Sequence, residues 1–433
     1  MAPDDLTSQE TPVEETPVEE TPVEETPVED IVAVIEERGL RGSMRMLVKL
    51  GLQRIRGGEL GPLPIILGLI VISLYFGSQT SWIFFNARNM SNLVLQIAAI
   101  GSCATGIVLV LLLGEIDLSV GSVAGLTSAV LGVLVVYHNW PWWLAIIAML
   151  AVGAAIGAMQ GAWFALLSVP AFIVTLAGFL AWQGVQLRVL GTNGTVNVFD
   201  PHIGKIAATY LPSVWGWILG IGIAAWFGAT SVLKQVRRRR AGLKPQPLIL
   251  PLLFTAVIAV ISLGAVGYLN SYNGVPTAGV VLLALIFFFH WLTTRTKFGR
   301  YIYAVGGNIE AARRAGINVA AIRIWVFTLC GLMAGVGGLI FTSRLTAAST
   351  QTGTGTFLLE TIAAAVIGGA SLFGGRGTVW AALLGALVIG SVSNGLDLMS
   401  QPPEIKFMVE GAVLLVAVTV DAISRRGREA SGR

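Results

Sequence analysis

The sequence predicts an all-α polytopic membrane protein with about twelve transmembrane helices and both termini cytoplasmic. Three observations predict it. Of 433 residues, 55% are hydrophobic and 12% are charged, whereas a soluble domain carries about 25% charged residues. Several apolar runs approach or exceed the roughly 20 residues that cross a bilayer. The runs are continuous rather than short and alternating, which selects helices over a β-barrel.

The chain divides in order. Residues 1–30 hold a four-fold pentad, TPVEE three times and TPVED once, with 11 acids and no base. This composition cannot bury a core and predicts a disordered acidic tail; no signal-peptide pattern is read there. Residues 31–60 form a basic juxtamembrane segment. A membrane domain follows over 61–423, with a polar loop at 294–324 and a basic tail at 424–433. The predicted spans are 62–80, 92–113, 119–137, 141–167, 170–189, 213–230, 247–266, 276–293, 325–344, 358–373, 378–396 and 405–423. Only a tight polar interval separates the second from the third, so one of them is expected to be broken or re-entrant.

Charge sets the orientation. With the N-terminus inside, 23 of the 28 Lys and Arg residues fall in cytoplasmic segments. That bias satisfies the positive-inside rule. It places the loop 306–318, GGNIEAARRAGIN, in the cytoplasm.

Small residues mark close packing. Gly153, Gly157 and Gly161 recur along one helix face, and Gly331, Gly335, Gly337 and Gly338 repeat the device. Such spacing lets helix backbones approach, either inside one subunit or between subunits. Cys103 and Cys330 sit in apolar runs and read as buried packers without a disulfide framework. The three histidines are scattered without metal-ligand spacing, so neither metal nor cofactor is expected.

The chain shows no phosphate-binding loop, dinucleotide fingerprint or nucleophile elbow. It is therefore read as a non-enzyme that does not itself hydrolyse ATP. Acidic residues near spans are few: Glu115, Asp117, Glu360, Asp397 and Glu410. A proton-coupled carrier usually carries several such groups inside its spans.

Within 306–318, Asn308 suits a helix N-cap. Glu310 suits the positive end of the helix dipole. Ala311, Ala312 and Ala315 favour helix, and Gly316 suits a left-handed C-terminal position. A helix of about two turns is predicted over 309–315, roughly 10 Å long. Glu310, Arg313 and Arg314 share one edge through i,i+3 and i,i+4 spacing. Such a short helix is marginal alone. It is either an amphipathic helix lying on the membrane or a docking element for a cytoplasmic partner.

Glu310-Ala311-Ala312 followed by Gly316 resembles the cytoplasmic EAA loop of ATP-binding-cassette importer permeases. GEIDLSVGS (114–122), VPAFIVTLAG (169–178), FGRYIYAVGGNIEAARRAGINV (298–319), IAAAVIGGASLFGGRGTV (362–379) and SNGLDLM (393–399) resemble the monosaccharide permeases of the ribose/xylose class. The shorter members of that class run about ten spans. An extra pair near 213–266 makes the layout similar to its xylose branch.

The resemblance implies a permease homodimer in the bacterial inner membrane. It implies a cytoplasmic cassette ATPase below, an extracytoplasmic sugar-binding protein above, and no nucleic acid. D-xylose is the implied cargo. Ribose or another pentose or hexose, and a stand-alone secondary sugar carrier, are the alternatives. Glu310, Ala311, Ala312, Arg313 and Gly316 become the coupling set for the ATPase. Glu115, Asp117 and Ser119 are read either as a gate in the translocation path or as a capped turn with Asp117 as N-cap. Gln160 and Asn394 are read as path-lining groups or packing polars. Gly374, Gly375 and Arg376 form a tight cytoplasmic turn, with Arg376 free to reach lipid phosphate or the ATPase. The hydroxyl- and amide-rich stretches 191–199 and 346–357 either meet the binding protein or merely connect.

Overall fold

Fifteen α-helices and four short strands build the described part of the computed structural model, residues 63–242 and 249–430. The predicted segments 1–30 and 31–60 lie outside the described residues, as does the end of the 424–433 tail.

In chain order the helices are α1 (Leu63–Gln79), α2 (Ala87–Leu112), α3 (Val120–Val136), α4 (Trp142–Leu167), α5 (Ala171–Leu190), α6 (Pro201–Ala208), α7 (Ser213–Arg240) and α8 (Ile249–Asn270). They continue as α9 (Thr277–Arg295), α10 (Lys297–Gly307), α11 (Ile309–Arg314), α12 (Val319–Leu345), α13 (Thr356–Ile367), α14 (Trp380–Leu398) and α15 (Pro403–Ala430). Each of the twelve predicted spans overlaps one helix. Eight helices are long and apolar enough to cross a membrane; α1, α3 and α13 are apolar but shorter.

The short helices have a local cause. Residues 113–119 leave the helix at Gly114, so α3 starts late and spans only 17 residues. Gly353 and Gly355, with φ +76° and +63°, turn the chain just before α13 begins. That helix has 12 residues and ends at Ile367, six short of the predicted limit. Polar backbone in lipid must be satisfied or buried in protein, and both breaks are enclosed by neighbouring helices.

The contacts repeat internally. α2-α3-α4-α5 and α12-α13-α14-α15 each run as long helix, break, short helix, long helix, long helix. α12 packs on α3 and α4 as α2 packs on α13 and α14. α2 and α12 lie antiparallel: Gly106 meets Cys330 while Gly337 meets Ala99 and Cys103. The two sets are thus inverted copies around an α2–α12 centre.

α12 is the hub. Its Gly331 lies so close to α4 that a Cβ there would stand 2.1 Å from the Gly153 carbonyl oxygen. Gly157 faces Phe327 and Gly161 faces Ile324 in the same seam. These small residues therefore pack inside the subunit, which resolves the alternative left open by the sequence. Cys103 and Cys330 are fully buried free thiols in this centre.

α7 and α8, the extra pair, pack chiefly on each other at the periphery. Trp226, Phe254 and Val260 leave broad apolar surface exposed there. Opposite the basic face, strands at 195–197 and 347–349 pair antiparallel, Thr195 with Ser349. The two hydroxyl-rich stretches thus form one ribbon.

Candidate functional site

Residues 306–318 fold as their capping residues dictate. Asn308 Oδ1 accepts from the Ala311 N–H at 2.9 Å, and Asn318 caps α12 by accepting from Ala321 at 3.0 Å. Gly316 takes φ +80°, the left-handed closure expected of it. Helix α11 ends at Arg314, one residue before the predicted end. Glu310 and Arg313 form an exposed ion pair at 2.8 Å, worth little to stability by itself.

The alanines divide. Ala311 and Ala315 are exposed, but Ala312 is only 4% exposed and joins the core. The smooth face expected of all three is therefore two-sided. Ala312 roots the helix in its own bundle, while Glu310, Ala311, Arg313 and Ala315 stay free on the surface.

Three sequence motifs meet at this basic face. Tyr303 of α10 donates its hydroxyl to the Gly377 carbonyl at 2.8 Å. The Gly375 N–H donates to the Leu112 carbonyl at the end of α2 at 2.9 Å. Gly306 fits between them: a Cβ there would lie 1.8 Å from Leu112 O and 2.7 Å from Gly375 N. Gly374 adopts φ +82°, which an L side chain resists. Arg376 remains exposed at the tip of the turn. The loop before α12, the end of α2 and the glycine turn 368–377 are thus one interlocked unit.

A largely buried latch sits just above. Arg323, in the first turns of α12, pairs with Glu115 at 3.1 Å. Its guanidinium carbon lies 4.3 Å from the Phe164 ring centroid on α4, a cation–π distance. Burial raises the Glu115 carboxyl above its ordinary range, and Arg323 opposes that rise.

Asp117 Oδ1 accepts from the Ser119 N–H at 2.8 Å and from its hydroxyl at 2.7 Å. It therefore ties the turn to itself rather than capping α3, whose N-cap Ser119 makes no side-chain cap bond. Cys330 also bonds Asp117. Gln160 lies 2.9 Å from the Ser119 oxygen. The Ser119 proton is already committed to Asp117, so the Gln160 amide is assigned with its N–H₂ toward Ser119. Its oxygen then faces the otherwise unpartnered indole N–H of Trp182 across Gly178. Four of the expected path residues, Glu115, Asp117, Ser119 and Gln160, thus come together.

The matched region is nearly the whole described bundle. Residues 89–418 fit the family model of the branched-chain amino acid transport system / permease component. The chain belongs to this permease family. It is 42% identical over 363 residues to a xylose transport system permease protein of Escherichia coli K12, covering 83% of this chain and 91% of that protein. The corresponding Haemophilus influenzae protein is 39% identical, covering 83% and 96%. A ribose import permease protein of Escherichia coli K12 is 35% identical, covering 78% and 87%. No solved structure matches this permease.

Asn394 stands apart from the other expected residues. It lies toward the opposite face of the permease, where it exchanges hydrogen bonds with Asn89 at 2.8 and 3.2 Å. That amide pair stitches α2 to α14. On one side of it a cavity of about 640 Å³ is lined by Asn86, Arg88, Asn92, Tyr210 and Tyr272. On the other a cavity of about 310 Å³ runs between α2, α12, α13, α14 and α15.

Sequence reading did not single out Arg323, Phe164, Tyr303, Asn89 or Arg344. A cation in the first turns of a span, paired with an acid 208 residues away, leaves no local signature. Arg344 and Glu360 did carry one: each is a charge at the edge of an apolar run.

Proposed function

We propose that the chain is the membrane subunit of an ATP-binding-cassette importer that carries a monosaccharide, D-xylose first, across the bacterial inner membrane. The single observation that carries this reading is the interlocked basic face. It offers a short, capped, exposed helix rooted by Ala312 and joined at once to α12, the hub of the bundle. The xylose-named relatives support the cargo. The ribose- and fructose-named relatives, at 35% and 32% identity, favour a second sugar as the alternative.

On this reading the domain spans 61–423, both termini are cytoplasmic, and 294–324 is the coupling loop. A cassette ATPase docks on Glu310, Ala311, Arg313 and the Gly316 turn, with Gly374, Gly375 and Arg376 at its border. A sugar-binding protein delivers cargo at the opposite face, and two permease copies form the assembly within lipid. Closure of the ATPase moves α11. The displacement passes through Arg323 to Glu115, and through Gly375 to Leu112. The Asp117–Ser119–Gln160 turn then shifts with α3 and reshapes the path.

Proteoliposomes test the reading. The chain reconstituted with its neighbouring cassette ATPase and binding protein accumulates labelled xylose when ATP is supplied. The chain alone does not. Concentrative uptake by the chain alone would overturn the reading in favour of a secondary carrier.

A further inference from the structure

We propose that the cavity between α2, α12, α13, α14 and α15 is a monosaccharide site inside a single permease subunit. The inference rests on the reading of the chain as a sugar permease.

The lining is unusual for this bundle. α2 contributes Gln96, α12 contributes Arg344, and the turn before α13 contributes Gln351 and Thr354. α13 contributes Thr356 and Glu360, and α14 contributes Ser393 and Asp397. Elsewhere these same helices bury mostly Leu, Ile, Val and Ala, with scattered hydroxyls and the Asn89–Asn394 pair but no other Arg, Asp or Glu cluster among the described residues. Arg344 and Asp397 stand at the last turns of their helices, and charged groups gathered at span ends in an apolar bundle suit the route of a polar cargo.

Charges of both signs meet here. Arg344 faces both Asp397 and Glu360. Lys406 pairs with Asp397. Glu360 lies near Thr356 and Glu410, and Glu410 lies near Ser393. The lining itself carries one base and two acids, Arg344, Glu360 and Asp397, beside the amides and hydroxyls. A neutral polyol meets donors and acceptors on every side, several of them charge-assisted.

The apolar part of the wall suits the same cargo. Phe341, Phe357 and Phe407 reach the cavity, with the first two rings edge to face at 5.5 Å. Such rings cover the C–H faces of a sugar while the polar groups take its hydroxyls. Small-molecule sites pair apolar walls with a few convergent polar groups in this way, in volumes of about 300–1,000 Å³. At about 310 Å³ the cavity has room for one sugar ring.

Glycine placement keeps the site open. α13 starts at Gly355 with no side-chain cap. Its first N–H groups therefore remain available at the rim, as at other helix N-termini.

The test uses the full permease with its ATPase and binding protein in proteoliposomes. Gln351→Ala, Ser393→Ala and Glu360→Gln are compared with wild type, holding the binding protein and its sugar affinity constant. Gln351 is exposed in its loop, so that variant keeps its fold even if Glu360→Gln does not. The expected result is a roughly tenfold fall in xylose uptake, equivalent to about 1.4 kcal/mol, and a changed ranking of xylose against ribose and glucose. Wild-type permease in nanodiscs also gives saturation-transfer NMR contacts from xylose that Glu360→Gln or Gln351→Ala weakens. Uptake within about twofold of wild type in Gln351→Ala and Ser393→Ala, with an unchanged sugar ranking, overturns the site and leaves the importer reading standing. Failure of the wild-type complex to accumulate any sugar instead overturns both.

Discussion

Arg323→Ala removes the cation of the latch, and the structure sets the scale of its effect. The Arg323–Glu115 pair spans 3.1 Å, with side-chain exposures of 17% and 20%. Breaking a fully buried pair costs about 3–5 kcal/mol, and an exposed one about 0.2–1 kcal/mol. With roughly a fifth of each side chain still open to solvent, about 2 kcal/mol is the reasonable middle. Lost contact with Phe164 adds about 0.5–1 kcal/mol. The sum, near 3 kcal/mol, corresponds to a loss of roughly 100-fold. Wild type, Arg323→Ala, Glu115→Gln and the double variant are compared by melting in nanodiscs and by ATP-driven uptake. Arg323→Ala loses uptake while retaining ATPase binding, because α11 itself is untouched. Glu115→Gln is milder, since an amide oxygen still accepts from the guanidinium. The double variant costs less than the sum of the singles by about 1–3 kcal/mol. Arg323→Lys recovers only part of the loss, because an ammonium lacks the planar face that stacks on Phe164. Additivity within about 0.5 kcal/mol would refute the latch.

The two-sided alanine helix predicts opposite outcomes at neighbouring positions. Ala312→Glu buries an unpaired charge and abolishes folded expression. Ala311→Trp, on the exposed face, leaves expression normal but weakens ATPase co-purification. Gly306→Ala forces a Cβ to 1.8 Å from Leu112 O. Overpacking of this kind costs about 1–3 kcal/mol or more, and size-exclusion profiles of the purified permease report it as aggregation. Asn89→Ala and Asn394→Ala each strand a buried amide, at about 1–3 kcal/mol each. Replacing both with Leu costs less than the two Ala variants together when melting midpoints are compared. Tyr303→Phe deletes one hydrogen bond to Gly377, worth about 1 kcal/mol, and shows as a small fall in melting midpoint with uptake nearly retained.

What the sequence made legible follows from how local each determinant is. The helices were legible because apolar runs of this length have one solution in lipid. The caps at Asn308, Gly316 and Asn318 were legible because a cap is decided within four residues. The glycine seam of α4 and α12 was visible as spacing, but its partner was not, since a face that suits a close neighbour does not say which neighbour. Ala312 illustrates the same limit. Its helix face could be drawn, but which side was buried depended on α10 and α12 folding over it. The acids Glu360, Asp397 and Glu410 were each noted near span ends. That Glu360 and Asp397 share a cavity with Arg344 depends on how α12, α13 and α14 pack together, a consequence of tertiary pairing rather than of composition.

One helix joins the two ends of the molecule. Arg323, beside the docking helix, and Arg344, in the polar cavity, both belong to α12 and stand 21 residues apart. At 1.5 Å per residue that is roughly 31 Å, about the thickness of the hydrocarbon core. Between them lie Gly331, Gly335, Gly337 and Gly338, where α12 touches α2, α3 and α4 through backbone rather than long side chains. A seam of this kind resists separation, because dispersion and close contact hold it. It presents few interdigitating side chains to oppose sliding along the axis. On the proposed coupling, a push on α11 is transmitted as axial or rotational movement of α12, and the same movement carries Arg344 relative to Glu360 and Asp397. Coupling at the basic face and reshaping of the cavity are in this geometry two ends of one rigid-body displacement. Bulk added at the seam, as in Gly335→Leu, should lower uptake without touching either the docking surface or the cavity.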